Sequence, residues 1–177
     1  SALAQLLAWE GRDVSGSDRS FDRGGSPAAR SALEESGVAI FPQDGTGVVG
    51  AAEVVHSAAV EAAVPALARA VELGVPRRAR WEILARLAHG KRSVAVAGTN
   101  GKSTTAALLG WILLQNGFDP SLALGASLRS GLPGLGNARR GGADWLVFEA
   151  DESDGGLVHY RPELGIVTNV SLAQFAL

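Results

Sequence analysis

Cysteine is absent from the 177-residue chain, which excludes disulfides and thiolate-held metals while leaving the compartment open. No charge of one sign dominates, since 16 lysines and arginines face 18 aspartates and glutamates. Bulk charge therefore gives no reason to expect nucleic acid or an anionic membrane as a partner, and local sites must carry the function. Long apolar runs are missing too. The longest, Ala106 to Leu114, is far too short to span a bilayer, and no basic-then-apolar leader precedes it. A soluble, cytoplasmic protein is the expectation. The length allows one comfortable domain or two small ones.

What is present centres on Ala97-Gly98-Thr99-Asn100-Gly101-Lys102-Ser103-Thr104-Thr105, directly after the apolar run Ser93 to Ala97 and directly before a helical pattern. Strand, loop and helix in that order deliver a glycine-bearing turn. Its backbone N–H groups, with the positive end of the following helix, suit a polyanion. Lys102 can reach the outer phosphates of a nucleotide, and the Ser103 hydroxyl suits the coordination shell of a phosphate-bound Mg2+. Gly98, Thr99, Asn100, Gly101, Lys102, Ser103 and Thr104 are thus the candidate nucleotide-binding residues. The usual P-loop pattern spaces its glycines further apart than Gly98 and Gly101, and Val96 holds its first-glycine position. A tight turn with an exposed lysine is the plainer alternative.

Further along, Trp145-Leu146-Val147-Phe148 reads as a continuous apolar strand, as expected of a parallel strand covered on both faces. It runs into Glu149-Ala150-Asp151-Glu152-Ser153-Asp154. A solvated acidic loop is one reading. The other is that a carboxylate at the end of a strand beside the phosphate-loop strand holds Mg2+, and Glu149 is the candidate. Asp151, Glu152 and Asp154 would support the site or cap a helix. Leu164 to Thr168 is a further apolar strand, and Asn169 at its end points toward the same site.

The amino-terminal half has a different set of candidates. Ser1 to Trp9 reads as a helix in mid-course, with Leu3, Leu6 and Leu7 on one face and Gly11 as its stop. A preceding piece is therefore expected. A short strand around Val14 leads to Gly16-Ser17-Asp18, where an acidic residue at a strand end meets a ribose or base in nucleotide folds, or simply makes a turn. Residues 19 to 27 read as a mobile loop. Helix 28 to 36, strand 38 to 41 and a short buried strand, Glu53 to Ser57, follow. Ser57 is a candidate ligand contact, whereas His56 is given no catalytic role. Val64, Leu67, Ala68 and Val71 have helical spacing. Val75-Pro76 begins a short strand that ends in Arg77-Arg78-Ala79-Arg80, whose three arginines read as a solvated linker face before the helix Trp81 to His89, and the domain boundary is placed at Gly90-Lys91. In the second half, Leu108, Leu109, Ile112 and Leu113 form the apparent buried face of the helix behind the phosphate loop. Ser130 to Gly142 reads as a loop, because its Gly131, Gly134 and Gly136 lack the strand and helix a dinucleotide fingerprint requires.

Gly-Thr-Asn-Gly-Lys-Ser-Thr after a short apolar strand resembles the ATP loop of the Mur ligases, the cytoplasmic peptidoglycan-precursor ligases. The resemblance covers nearly the whole chain. It extends to Val14 to Asp18, Val54 to Val60, and Glu149 to Asp154 running on to Gly165 to Val170. Ser-Gly-Ser-Asp and Glu-Ala-Asp-Glu-Ser-Asp look most like the branch that joins L-alanine to UDP-N-acetylmuramate, although Asn100 stands where that branch often has His.

The resemblance implies an α/β protein with mainly parallel sheets: a Rossmann-like UDP-sugar domain over residues 1–90 lacking its first strand, then part of a P-loop ATPase domain over 91–177. It implies ATP and Mg2+ as cofactors, with Lys102 and Glu149 catalytic, Ser103 and Glu149 on the metal, and Ser17, Asp18, Ser57 and Asn169 on substrate. The reaction it implies is ATP-dependent amide formation through an acyl phosphate. The family usually places an Asp-His pair shortly after the last strand, where this chain has Ala173-Gln174. With that replacement, and with both ends read as incomplete, the chain by itself is expected to be inactive. Alternatives are a sister ligase that loads a tripeptide or builds an amino-acid polymer such as cyanophycin, an unrelated P-loop kinase, and a non-catalytic nucleotide-binding fragment.

Overall fold

A computed structural model describes residues 1–57, 60, 63–126, 136–151 and 155–171. It is α/β, and every strand pairing but one is parallel. Contacts divide the chain into two compact units, Ser1 with Leu3–Arg80, and Ala2 with Trp81–Leu177. The division falls before the expected Gly90-Lys91 boundary. One reason is visible at the start of the intervening helix, where Trp81 stacks flat on His159 at 4.3 Å between ring centroids, a contact internal to the second unit. Among the described residues no helix is long and apolar enough to cross a membrane.

The first unit contains α1 (Ala2–Trp9), β1 (Ser15–Gly16), α2 (Arg19–Asp22), α3 (Pro27–Glu35), β2 (Ala39–Ile40), β3 (Val54–His56), α4 (Pro65–Glu72) and β4 (Arg77–Ala79). Helices α3 and α4 each begin with proline, whose fixed φ and missing N–H suit a first helical turn. The strands make two separate parallel pairs, β1 with β2 and β3 with β4.

Several expectations are corrected here. Arg19–Asp22 is a helical turn rather than loop, because the Asp18 carboxylate caps it. The short strand expected to end in Arg77-Arg78-Ala79-Arg80 is present as β4, paired with β3 through backbone groups, but Arg78 is not simply solvated, since its Nε stands 3.6 Å from Glu53 Oε2. Strand β3 is half-exposed, not buried. Helix α4 buries Leu67 and Ala70, with Val64 before it, and turns Ala68 and Val71 outward.

The second unit contains α5 (Arg80–His89), β5 (Arg92–Ala97), α6 (Lys102–Gln115), β6 (Ser121–Ala123), β7 (Ala138–Arg139), β8 (Trp145–Glu149) and β9 (Leu164–Val167). Its five-stranded sheet has the order β7-β6-β8-β5-β9. Alternate residues of the central strands face opposite ways. Val94, Val96, Leu122 and Val147 join Ala106 of α6 in one buried cluster, with Leu109 and Leu113 packed against it, while Phe148 meets Tyr160 at 5.0 Å. Burial on both faces is why β5 and β8 read as unbroken apolar runs.

Helix α6 lies close to the sheet through a small residue. A Cβ on Gly110 would come within 2.6 Å of Leu122 Cδ2. Packing along Ala106, Leu109, Gly110 and Leu113 turns Leu108 and Ile112 outward, contrary to the expected stripe. The expected loop from Ser130 to Gly142 contains β7, antiparallel to β6; Gly131 and Gly134 lie outside the described residues, and Gly136 is in neither strand nor helix.

The connection leaving β5 runs to one side of it, toward β6, and the connection leaving β8 crosses to the other side, toward β9. The carboxyl ends of β5 and β8 therefore open a crevice at a topological switch point, the usual ligand position of an open parallel sheet.

Candidate functional site

Strand β5 ends at Ala97 and α6 begins at Lys102, so residues 98–101 form the turn over that crevice. Gly98 has φ 126° and Gly101 φ 82°, conformations that a residue with a Cβ adopts only under strain. The Lys102 ammonium donates to Gly98 O at 2.6 Å, folding its side chain back over the loop. By helix geometry the first-turn N–H groups of Ser103 and Thr104 have no intrahelical acceptor, and the positive end of the helix dipole lies there.

The parallel register of β8 against β5 sets Glu149 opposite Val96. Its carboxylate reaches the start of α6, where Ser103 Oγ donates to Oε2 at 2.8 Å. The other oxygen, Oε1, accepts from the Gly125 amide at 2.5 Å. Residue Gly125, just beyond β6, had no role in the sequence reading; its position immediately after the apolar run Leu122-Ala123-Leu124 was the available signal. A hydroxyl and a carboxylate held side by side are hard oxygen donors of the kind Mg2+ takes, and that ion needs few protein ligands because it keeps waters and substrate phosphates. Among the described residues no group of three or more His, Cys, Asp and Glu side chains is placed to hold a metal. The donor set fits Mg2+ held jointly with a nucleotide.

The end of β9 closes the other side of the loop. Thr99 N donates to Asn169 O at 3.0 Å, and Asn100 N donates to Asn169 Oδ1 at 3.1 Å. Two loop amides expected to face a polyanion are thus directed to Asn169 instead. Asn169 Nδ2 in turn donates to Asn100 O at 3.0 Å. Thr168, which had no assigned role, places Oγ1 2.6 Å from Asn100 O.

The remaining candidates divide by unit. Ser17 and Asp18 follow β1, and Ser57 follows β3, all at strand carboxyl ends in the first unit. Asp18 Oδ1 accepts from Ser20 N at 2.7 Å, so one of its oxygens caps α2. His56 Nδ1 lies 3.1 Å from Ser57 O, a local contact in keeping with a structural side chain. Glu152 and Asp154, like Ala173 and Gln174, lie outside the described residues, while Asp151 follows β8 directly after Ala150.

Comparison with known proteins places this geometry in context. A UDP-N-acetylmuramate–L-alanine ligase from Cyanothece sp. is 42% identical over 176 residues, which is 97% of this chain and 35% of that protein. The crystal structure of UDP-N-acetylmuramate–alanine ligase from Thermotoga maritima superposes with a TM-score of 0.82 at 29% identity, covering 98% of this chain and 39% of the other. A murein peptide ligase from Psychrobacter arcticus gives a TM-score of 0.81 at 25% identity, covering 97% and 40%. The chain spans about a third of the length of the curated relatives it matches. The sequence profile described as "Mur ligase family, catalytic domain" matches residues 1–92, which is more than half of the chain. With a phosphate-loop turn, a hydroxyl–carboxylate pair beneath it and that profile in one polypeptide, the chain belongs to the Mur ligase family.

Proposed function

We propose that this chain carries the nucleotide-binding part of a cytoplasmic, ATP-dependent ligase that joins L-alanine to UDP-N-acetylmuramate in peptidoglycan precursor synthesis. The observation that carries the reading is the Ser103–Glu149 pair under the Gly98–Lys102 turn. Lys102 and the first-turn amides of α6 would stabilise charge on the transferring phosphoryl group, and Ser103 with Glu149 would hold Mg2+ against the phosphate oxygens. In such a reaction the lactyl carboxylate takes the phosphoryl group, and the amine of alanine displaces phosphate from the acyl phosphate. Mg2+, when bound, would supply charge neutralisation to the phosphates.

Ser17, Asp18 and Ser57 are the side chains proposed to meet the UDP-sugar, each at a strand end in the first unit. Support for alanine over a peptide as the added group is that curated relatives at 42% and 41% identity are alanine ligases, whereas among solved structures the margin is only 29% for the alanine ligase against 25% for the murein peptide ligase. The second reading, a tripeptide-loading sister, is kept because that ligase superposes almost equally well.

Calorimetric titration of this chain with Mg-ATP tests the phosphate-site part of the proposal. Saturable binding that Lys102→Ala abolishes is the expected result. Equal binding by wild type and variant would remove the phosphate loop from the account.

A further inference from the structure

The end of β9 and the turn after β5 are 69 residues apart in sequence, yet they are joined by a dense set of polar contacts. Asn169 accepts from the Thr99 amide through its own carbonyl and from the Asn100 amide through Oδ1, and returns a hydrogen bond from Nδ2 to Asn100 O. A backbone N–H and C=O of one residue, both engaged by one side-chain amide, leave Asn100 little rotational freedom. Thr168 Oγ1 sits 2.6 Å from Asn100 O and 3.2 Å from Ala97 O, so its single proton is directed into the same turn. Ser171 N donates to Thr99 Oγ1 at 3.0 Å, tying the residue beyond the turn's first glycine as well. The approach is close enough that a Cβ on Gly98 would stand 2.2 Å from Thr168 Oγ1 and 2.8 Å from Asn169 O.

From this we infer that Asn169, with Thr168, is a positioning residue for the phosphate loop rather than a substrate contact. A side-chain amide presents one acceptor and two donors, and here its Oδ1 and a proton on Nδ2 are engaged with loop backbone. The loop thereby keeps the conformation that presents the first turn of α6 and Lys102 to a triphosphate. In its absence the Thr99–Asn100 segment would have to be ordered by the nucleotide itself, at a cost in affinity. The inference rests on the phosphate-site reading above, and it extends that reading to a strand end outside the loop motif.

The test combines calorimetric Mg-ATP titration with amide hydrogen exchange on Asn169→Ala, Thr168→Val and Thr168→Ser. Asn169→Ala and Thr168→Val should each weaken Mg-ATP binding by about five- to tenfold, in line with losing hydrogen bonds that order a site. Thr168→Ser keeps the hydroxyl and should stay within about twofold of wild type. Exchange at the Thr99 and Asn100 amides should quicken in Asn169→Ala while Val94 and Val96 of β5 stay protected, separating loop release from general unfolding. Unchanged affinity in both Asn169→Ala and Thr168→Val, alongside abolished binding in Lys102→Ala, would overturn the positioning role and leave the phosphate site standing. Faster exchange throughout β5 would overturn it as well, by making the contacts structural only. Absence of Mg-ATP binding in the wild type would instead overturn the underlying site.

Discussion

Ser103 and Glu149 lie 46 residues apart in sequence and meet at 2.8 Å, hydroxyl to carboxylate, where the first turn of α6 passes the end of β8. The pair joins a helix start to a strand end, so a cation bound there would report on both. In Glu149→Gln the side chain keeps its length and its capacity to bond Ser103, but not its charge. ATP binding by the wild type should weaken when Mg2+ is chelated. Binding by Glu149→Gln should be nearly indifferent to chelation, with Mg2+ affinity down about ten- to a hundredfold, the range for losing a group that supports a metal site. Titrations with and without EDTA check this; equal Mg2+ dependence in both proteins would take Glu149 off the metal.

Gly98→Ala probes the close approach of the loop to β9. The residue sits at φ 126°, and an added Cβ would meet Thr168 Oγ1, Asn169 O and Asn169 N within 3.0 Å. Two of these three atoms are backbone and cannot rotate away. We expect a cost of roughly 2 kcal/mol from backbone strain alone, with the greatest loss of hydrogen-exchange protection at residues 98–100 and 168–169. Gly101→Ala makes the matched control, since a Cβ there meets nothing within 4 Å and only the φ of 82° is unfavourable. A larger loss of stability in Gly101→Ala than in Gly98→Ala would contradict this account.

These contacts show what could be read from the chain before its structure. The strand-loop-helix and the position of Glu149 were legible because they depend on local patterns: five apolar or small residues, a glycine turn, a helical period, and a second apolar run ending in acid. The placement of β8 beside β5 followed from the rule that ligand-holding carboxylates project from neighbouring strand ends. The bonding of Asn169 to the loop backbone was not legible, since its amide could equally serve a substrate and only the tertiary approach brings the loop within reach. The strand through Arg77 and Arg78 was legible despite its basic side chains, because composition speaks to solvent exposure whereas pairing with β3 uses the backbone. The outward turn of Leu108 and Ile112 was hidden by Gly110, whose lack of a side chain moved the contact face of α6 toward the small residues.

Asp18 invites a separation of two roles. Its carboxylate caps α2 through Ser20 N at 2.7 Å, and the same residue is proposed to face the UDP-sugar. Asn caps a helix about as well as Asp, whereas Ala does not, at a typical cost of about 1 kcal/mol. Thermal melting should therefore fall for Asp18→Ala and hold for Asp18→Asn. Titration of both with UDP-N-acetylmuramate then asks about the charge. Weaker binding in Asp18→Asn at unchanged stability supports a ligand role, and unchanged binding confines Asp18 to the cap.

At the opposite end of the second sheet, Arg92 joins three strands. Its guanidinium engages both carboxylate oxygens of Glu163, just before β9, and lies 4.2 Å from the centre of the Trp145 ring on β8. Hydrogen bonding from Arg92 holds the Glu163 carboxyl below the usual glutamate range, and the same bond raises the arginine. The signs follow by linkage. A carboxyl whose folded pKa is depressed adds stability above its unfolded pKa and loses it as pH falls through the folded value. Arg92, whose pKa is raised, stays charged throughout the acid and neutral range, so protonation of Glu163 alone switches the pair off. Melting temperatures of wild type and Glu163→Gln should therefore differ at pH 7 and converge as the pH is lowered past the glutamate range. Asp119 also titrates low, through the Gly142 amide and then Arg139, so both proteins should lose stability in acid and only their difference reports on Glu163. That difference should be modest, because both side chains are about half exposed, and should shrink further in 0.5 M salt, about three times the ionic strength at which the screening length is already near 8 Å. Stacking of Arg92 on Trp145 survives in the variant and is insensitive to pH in this window. A gap between the two melting curves that stays constant from neutral to strongly acidic pH would show that Glu163 acts through shape and not charge.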